Sequence, residues 1–180
     1  GYIGLSVDSY RNDYGTGLFE DDKLADPKRI KLKQERLTLA GEQRNLGGKM
    51  GPLESIRGSF SSTDYKHEEL AGGAVESTYK NKGWDSRIEG THLPIQTSLG
   101  SLRGAWGIQG SESKFSATGS GGHGAFVPNA KTDSKALFVF EELSFAPGKA
   151  VNAGFRYEDV KVQSLGGVKH IHEENGGSHT

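Results

Sequence analysis

Apolar positions in this chain recur at every second residue, a spacing that predicts strands rather than helices. In 1–10, Ile3, Leu5 and Val7 alternate with Gly4, Ser6 and Asp8. Residues 29–45 give Ile30 and Leu32, then Leu37 and Leu39 after a change of parity. That change predicts either a bulge or a strand passing from one environment into another. In 53–66, Ile56 and Phe60 share a face with Glu54, Gly58 and Ser62. In 76–93, Trp84, Ser86, Ile88, Gly90 and His92 oppose Asp85, Arg87, Glu89 and Thr91. In 100–118, Leu102, Gly104, Trp106 and Ile108 oppose Arg103, Ala105, Gly107 and Gln109. Residues 133–145 are apolar on both faces at their centre, and in 149–163 Val151, Ala153, Phe155 and Tyr157 oppose Asn152, Gly154, Arg156 and Glu158.

The pattern therefore predicts an all-β chain: an antiparallel up-and-down meander of about seven long strands, longer than the usual 5–6 residues. Turn-rich connections are expected at 45–52, 94–101 and 146–149, and longer polar or glycine-rich loops at 11–28, 67–75 and 119–132. Short turns at one end and long loops at the other describe a barrel wall. Alternation alone does not say which face meets what. A soluble sheet turns its apolar face inward, whereas an outer-membrane barrel turns it outward to lipid. Strand length, a charged face carrying Arg87, Glu89, Arg103, Arg156 and Glu158, and glycines inside the strands favour the barrel. Trp84, Trp106, Phe145, Phe155 and Tyr157 fit interfacial girdle positions, or equally the core of an ordinary β domain.

Composition narrows the classes. Of 180 residues 27 are glycine and only 33% are hydrophobic, low for a soluble globular domain. A net charge of −1 offers no field for nucleic acid. The absence of cysteine removes disulfide scaffolds, thiolate zinc sites and cysteine nucleophiles. No run of about 18 apolar residues is present for a membrane helix. The first residues lie inside a patterned segment without a signal-peptide layout, so the chain reads as an internal piece of a larger protein.

The stretches "SSTDYKHEEL", "SRIEGTHLPI" followed by "GSLRGAWGIQ", then "ALFVFEEL" and "NAGFRYEDVKV" resemble successive barrel hairpins of TonB-dependent outer-membrane receptors. The likeness is greatest to the branch containing the zinc-uptake receptor of Gram-negative bacteria, and it covers most of residues 1–163. It implies a transmembrane barrel of about 22 strands closed by a plug and driven by the TonB complex. Residues 1–165 would supply roughly a third of the wall, and 166–180 a truncated outer loop or flexible tail. Implied partners are outer-membrane lipid, the plug domain, the TonB complex, and a metal ion or metal chelate as cargo. The resemblance implies no resident cofactor, with zinc or another divalent metal as transported ligand. The signal peptide, TonB box, plug and terminal aromatic residue of the family do not occur in this sequence.

Metal-ligand candidates follow the histidines. His170 and His172, two apart, point to one side of an extended segment, and Glu173, Glu174 and His179 could complete a nitrogen and oxygen site. The bland alternative is a solvated loop. His67, beside Glu68 and Glu69 at the expected rim of a long loop, and His123, within "GSGGHG", are further candidates. His92 reads as an interfacial residue rather than a ligand. The cluster Glu20, Asp21, Asp22 and Asp26 lacks calcium-loop spacing. Neither a nucleophile elbow nor a phosphate loop is present, so catalysis is not expected. A surface-exposed β-sheet binding or adhesin module is the alternative to transport.

Overall fold

The structure is a computed structural model describing residues 1–17, 19–20, 23–24, 28–47, 50–119 and 127–166. The chain is all-β, and the described residues contain no helix. Seven long strands carry it: β1 (Tyr2–Thr16), β4 (Lys28–Arg44), β5 (Leu53–Ala71), β6 (Ala74–His92), β8 (Gly100–Gly119), β9 (Asn129–Ala146) and β10 (Lys149–Gly166). Three short ones, β2 (Phe19–Glu20), β3 (Lys23–Leu24) and β7 (Ile95–Thr97), sit in connections. The long strands follow chain order, β1-β4-β5-β6-β8-β9-β10, as an antiparallel meander, with β7 folded back on β8. β1 and β10 each have one neighbour, so the sheet is open.

Connections at 45–52, 93–99 and 147–148 define a lower end; those at 17–27, 72–73 and 120–128 define an upper end. Three expectations change. The loop expected over 67–75 is a two-residue turn, with Ala71 paired to Ala74. Gly72 and Gly73 take φ of 56° and 87°, which a hairpin turn of this type requires and a side chain disfavours. The charged run around it is strand. The loop expected over 11–28 is also shorter, because β1 continues to Thr16, which pairs with Lys28. Finally, β4 contains no bulge: its register to β1 and β5 runs unbroken. The parity change is instead a change of face.

Directly opposed residues in an antiparallel ladder point to the same side, so the register sorts every side chain. On the first face, the lower half is apolar but for the Glu141–His92 pair: Ile3, Leu5 and Val7; Leu37 and Leu39; Ile56 and Phe60; Trp84 and Ile88; Trp106 and Ile108; Leu137, Val139, Leu143 and Phe145; Val151, Phe155 and Tyr157. Its upper half is charged. Arg11, Lys33, Lys66 and Lys80 stand directly opposite one another across four strands. Such like-charge opposition is unfavourable. Acids two residues away relieve it, Lys33 to Glu35 at 2.7 Å and Lys66 to Glu68 at 2.6 Å.

The second face does the reverse except on β9, which contributes Phe138 and Phe140 to its lower half. Its lower half carries Asp8, Arg36, Arg57, Asp85, Arg87, Glu89, Arg156 and Glu158; its upper half carries Tyr10, Tyr14, Ile30, Leu32, Tyr65, Tyr79, Phe115, Val160 and Val162. Polarity thus inverts part-way along each of these strands, and Leu37 to Leu32 is where β4 does so.

The level of inversion is not parallel to the hydrogen-bonded rows. Val7 lies in a row running through Leu37, Ser62, Trp84, Glu112 and Asp133 to Lys161, yet the last apolar first-face residue of β10 is Tyr157, four positions lower. The apolar belt therefore falls by about 13 Å across about 29 Å of sheet width, a slant of about 25° to the rows. Among the described residues the buried apolar side chains are only Leu46, Leu70, Ala117 and Ala136. Ile3 is 86% exposed and Val7 75%. Among the described residues, the long strands form a single sheet whose apolar face stays exposed.

Candidate functional site

Chemistry-bearing side chains gather on the second face at two levels. In the lower half, all five residues expected to face a lumen, Arg87, Glu89, Arg103, Arg156 and Glu158, lie on this face, opposite the apolar belt. They form strand-local pairs. Arg87 Nη2 donates to Glu89 Oε2 at 2.5 Å, and Arg156 Nη2 to Glu158 Oε2 at 3.1 Å. Glu158 also accepts from Ser134 Oγ at 2.6 Å, and Arg156 Nη1 donates to Gln109 Oε1 at 3.4 Å. Arg103 is exposed and makes no ion pair among the described residues.

Arg87 has a second support. Its guanidinium lies 4.1 Å from the centroid of the Phe138 ring. That ring crosses the chain at Gly107, where an added Cβ would fall 2.4 Å from Phe138 Cζ. Gly107 thus lets an aromatic cross the strand and hold a cation by its face.

The pattern did not single out Arg36, Asp85 or Arg57. Arg36 Nη2 donates to Ser61 Oγ at 3.1 Å and lies 3.8 Å from Asp85, while Arg57 stands opposite Glu89. The parity change in β4 hid Arg36, and the register to β5 and β6 is what places it with the others.

In the upper half, His67 sits within β5, opposite Leu32 on one side and Tyr79 on the other. It is not at the rim of a long loop, because the loop is only Gly72–Gly73. Rings surround it: Tyr65 edge-on at 6.5 Å, Tyr79 tilted at 5.3 Å, with Phe115 stacked on Tyr79 at 6.4 Å. Burial pushes the Tyr65 phenol up, so it stays protonated. Its hydroxyl meets His67 Nδ1 at 3.4 Å. His67 Nε2 is buried without a hydrogen-bond partner, and the nearest carboxylate, Glu69, is 3.8 Å away. A buried ring nitrogen without a partner is costly and marks a place where a ligand would be stabilised.

The two levels do not meet in one cluster. Among the described residues no three His, Cys, Asp or Glu side chains come together as a metal site. His123, His170, His172 and Glu173 lie outside the described residues, as do Glu174, His179, Asp21, Asp22 and Asp26. His92 is on the first face, level with Glu141 and within the belt, above Leu143 and Phe145 of β9. Its Nδ1 reaches Leu93 O at 2.7 Å, and its Nε2 reaches Glu141 Oε2 at 3.2 Å across Gly104. Both ring nitrogens are engaged, so it has no lone pair to offer a metal. No family model matches the sequence.

Proposed function

We propose that the chain forms part of the wall of a TonB-dependent outer-membrane receptor, with its first face toward lipid and its second toward a hydrated lumen, serving uptake of a metal ion or metal chelate. The observation that carries this reading is the slanted inversion of polarity. A soluble sheet keeps one apolar face along its whole length. A wall that leaves a bilayer changes environment part-way up: outward side chains turn from apolar to charged where lipid gives way to water.

Strand tilt explains the slant. Barrel strands run ~35–45° from the axis, so a level membrane surface must cross the hydrogen-bonded rows obliquely. The observed slant of about 25° rises to about 35° if the edge moves to the next position on the same face, two residues along the strand. On β9, the first-face run from Leu137 to Phe145 spans nine residues, apolar except for Glu141, which pairs with His92, about 30 Å along the strand. That projects to about 23 Å at such a tilt, beside an apolar band of ~25 Å in membrane barrels. That only four apolar side chains are buried among the described residues weighs against the alternative of a free-standing binding module.

Within this reading His67 is the donor for metal cargo among the described residues. With Nδ1–H donating to Tyr65 Oη, the Nε2 lone pair is free for a cation, and Glu69 adds an oxygen nearby. Zinc takes about four such ligands, so the cargo's own donors or other loops supply the rest.

Two experiments test the proposal. Expressed at full length in a Gram-negative host, the protein should stay with the outer-membrane fraction through carbonate washing and leave it only with detergent. Release by carbonate overturns the membrane reading. Zinc titration should show a binding step that weakens at least about tenfold when His67→Ala removes one ligand. Unchanged affinity removes His67 from the cargo path.

A further inference from the structure

The apolar belt is not smooth. A groove of about 630 Å³ crosses it over β6, β8, β9 and β10, inside the ~300–1,000 Å³ range of small-molecule sites. Its floor is Ser86 opposite Gly110, two small residues where the neighbouring rows carry large ones. Trp84, Ile88, Ile108, Leu137 and Tyr157 wall it. The Trp84 ring leans over Gly110, where a Cβ would meet it at 3.6 Å. At the upper end stand Lys135 and Asp159.

On the same face Lys33, Lys66, Lys82, Lys114 and Lys131 each reach a carboxylate within 2.6–3.0 Å. Lys135 and Lys161, like Arg11, Lys31 and Lys80 elsewhere on the face, make no ion pair among the described residues, although Asp159 is opposite Lys135 and two residues from Lys161. Asp133, opposite Lys161, is held by Lys131 at 2.9 Å. Two free cations against one free carboxylate leave an excess of positive charge above an apolar slot.

We propose that this groove holds an acyl chain of a phospholipid whose headgroup is net negative, the chain lying between Trp84 and Tyr157 and the phosphate on Lys135 and Lys161. The proposal rests on the reading of the first face as lipid-facing. The slot receives a chain because its walls are aliphatic and aromatic, and filling it restores the contacts that Ser86 and Gly110 leave unmade. The lysines select the headgroup because each cation beside a bilayer favours an anionic lipid, by about fivefold.

The test reads Trp84 fluorescence in the full-length protein carrying Trp106→Phe, as the difference from the same protein with Trp84→Phe. The protein is reconstituted in phosphatidylcholine vesicles with a minor fraction of acyl-brominated lipid, either phosphatidylglycerol or phosphatidylcholine. Brominated phosphatidylglycerol should quench as though enriched about fivefold at the groove. Gly110→Leu, which fills the floor, and Lys135→Glu, which reverses the rim, should each abolish that preference while quenching by phosphatidylcholine persists. Equal quenching by the two lipids overturns the proposal and leaves the lipid-facing reading intact. A preference that survives both substitutions also overturns it. Absence of quenching by either lipid overturns the proposal and the lipid-facing reading together.

Discussion

Glu112 shows what a single residue on the upper first face does. It accepts from Lys131 at 2.9 Å and Lys114 at 3.0 Å, bridging β8 to β9. The Lys131 hydrogen bond, followed by that of Lys114, holds its carboxyl below the usual glutamate range. A carboxyl depressed in the folded state stabilises the fold above its unfolded pKa, and the stabilisation is lost as pH falls through the folded value. With an unfolded glutamate near pH ~4.3, this bridge is complete at neutral pH and weakens only in more acid solution. Carboxyl-carbon NMR should place the Glu112 midpoint below that of a free glutamate, and Lys131→Met should raise it. A midpoint that ignores Lys131 contradicts the bridge. At this scale the sequence was only partly legible. Alternation assigned Arg87, Glu89, Arg103, Arg156 and Glu158 to one face, but Lys131 with Glu112 or Arg36 with Ser61 needs the register between strands.

Elements were more legible than their partners. Apart from β9, which is apolar on both faces at its centre, each long strand shows its own period of two, and hydrophobic alternation is a local property. Errors came where local cues conflicted. "HEELAGGAVE" looks like a loop because it is charged and contains two glycines, yet only Gly72 and Gly73 turn; the charged residues are water-facing strand. The β4 parity change left a bulge and a change of environment both open, because a lone strand cannot show that its neighbours change parity at similar levels; the unbroken register selects the second. The hairpin offers a check. At Gly73, φ of 87° penalises any side chain, so Gly73→Val should destabilise the β5–β6 hairpin by about 1–2 kcal/mol. Gly72→Asn, at φ of 56°, should cost little, since asparagine tolerates that region. Thermal unfolding in detergent micelles would compare the two. Equal losses would mean that the strands, not the turn, set the hairpin's register.

For the whole molecule, the slant is the property that no single strand contains. It emerges only when six register relations are joined, and it separates a tilted membrane wall from a sheet whose apolar patch has some other cause. The sequence has no cysteine, so introduced thiols give an unmixed signal from this chain. Leu5, Leu39, Phe60, Ser86, Gly110, Lys135 and Asp159 occupy one hydrogen-bonded row on the first face. If environment followed the row, cysteines at these positions would react alike with a charged maleimide in intact membranes. A level water boundary crossing tilted strands requires a gradient instead. Cysteine at Leu5, Leu39 or Phe60 should be protected, and at Lys135 or Asp159 should label readily. A row of uniform reactivity would remove the slant as evidence for the membrane and leave the apolar belt to be covered by protein rather than lipid.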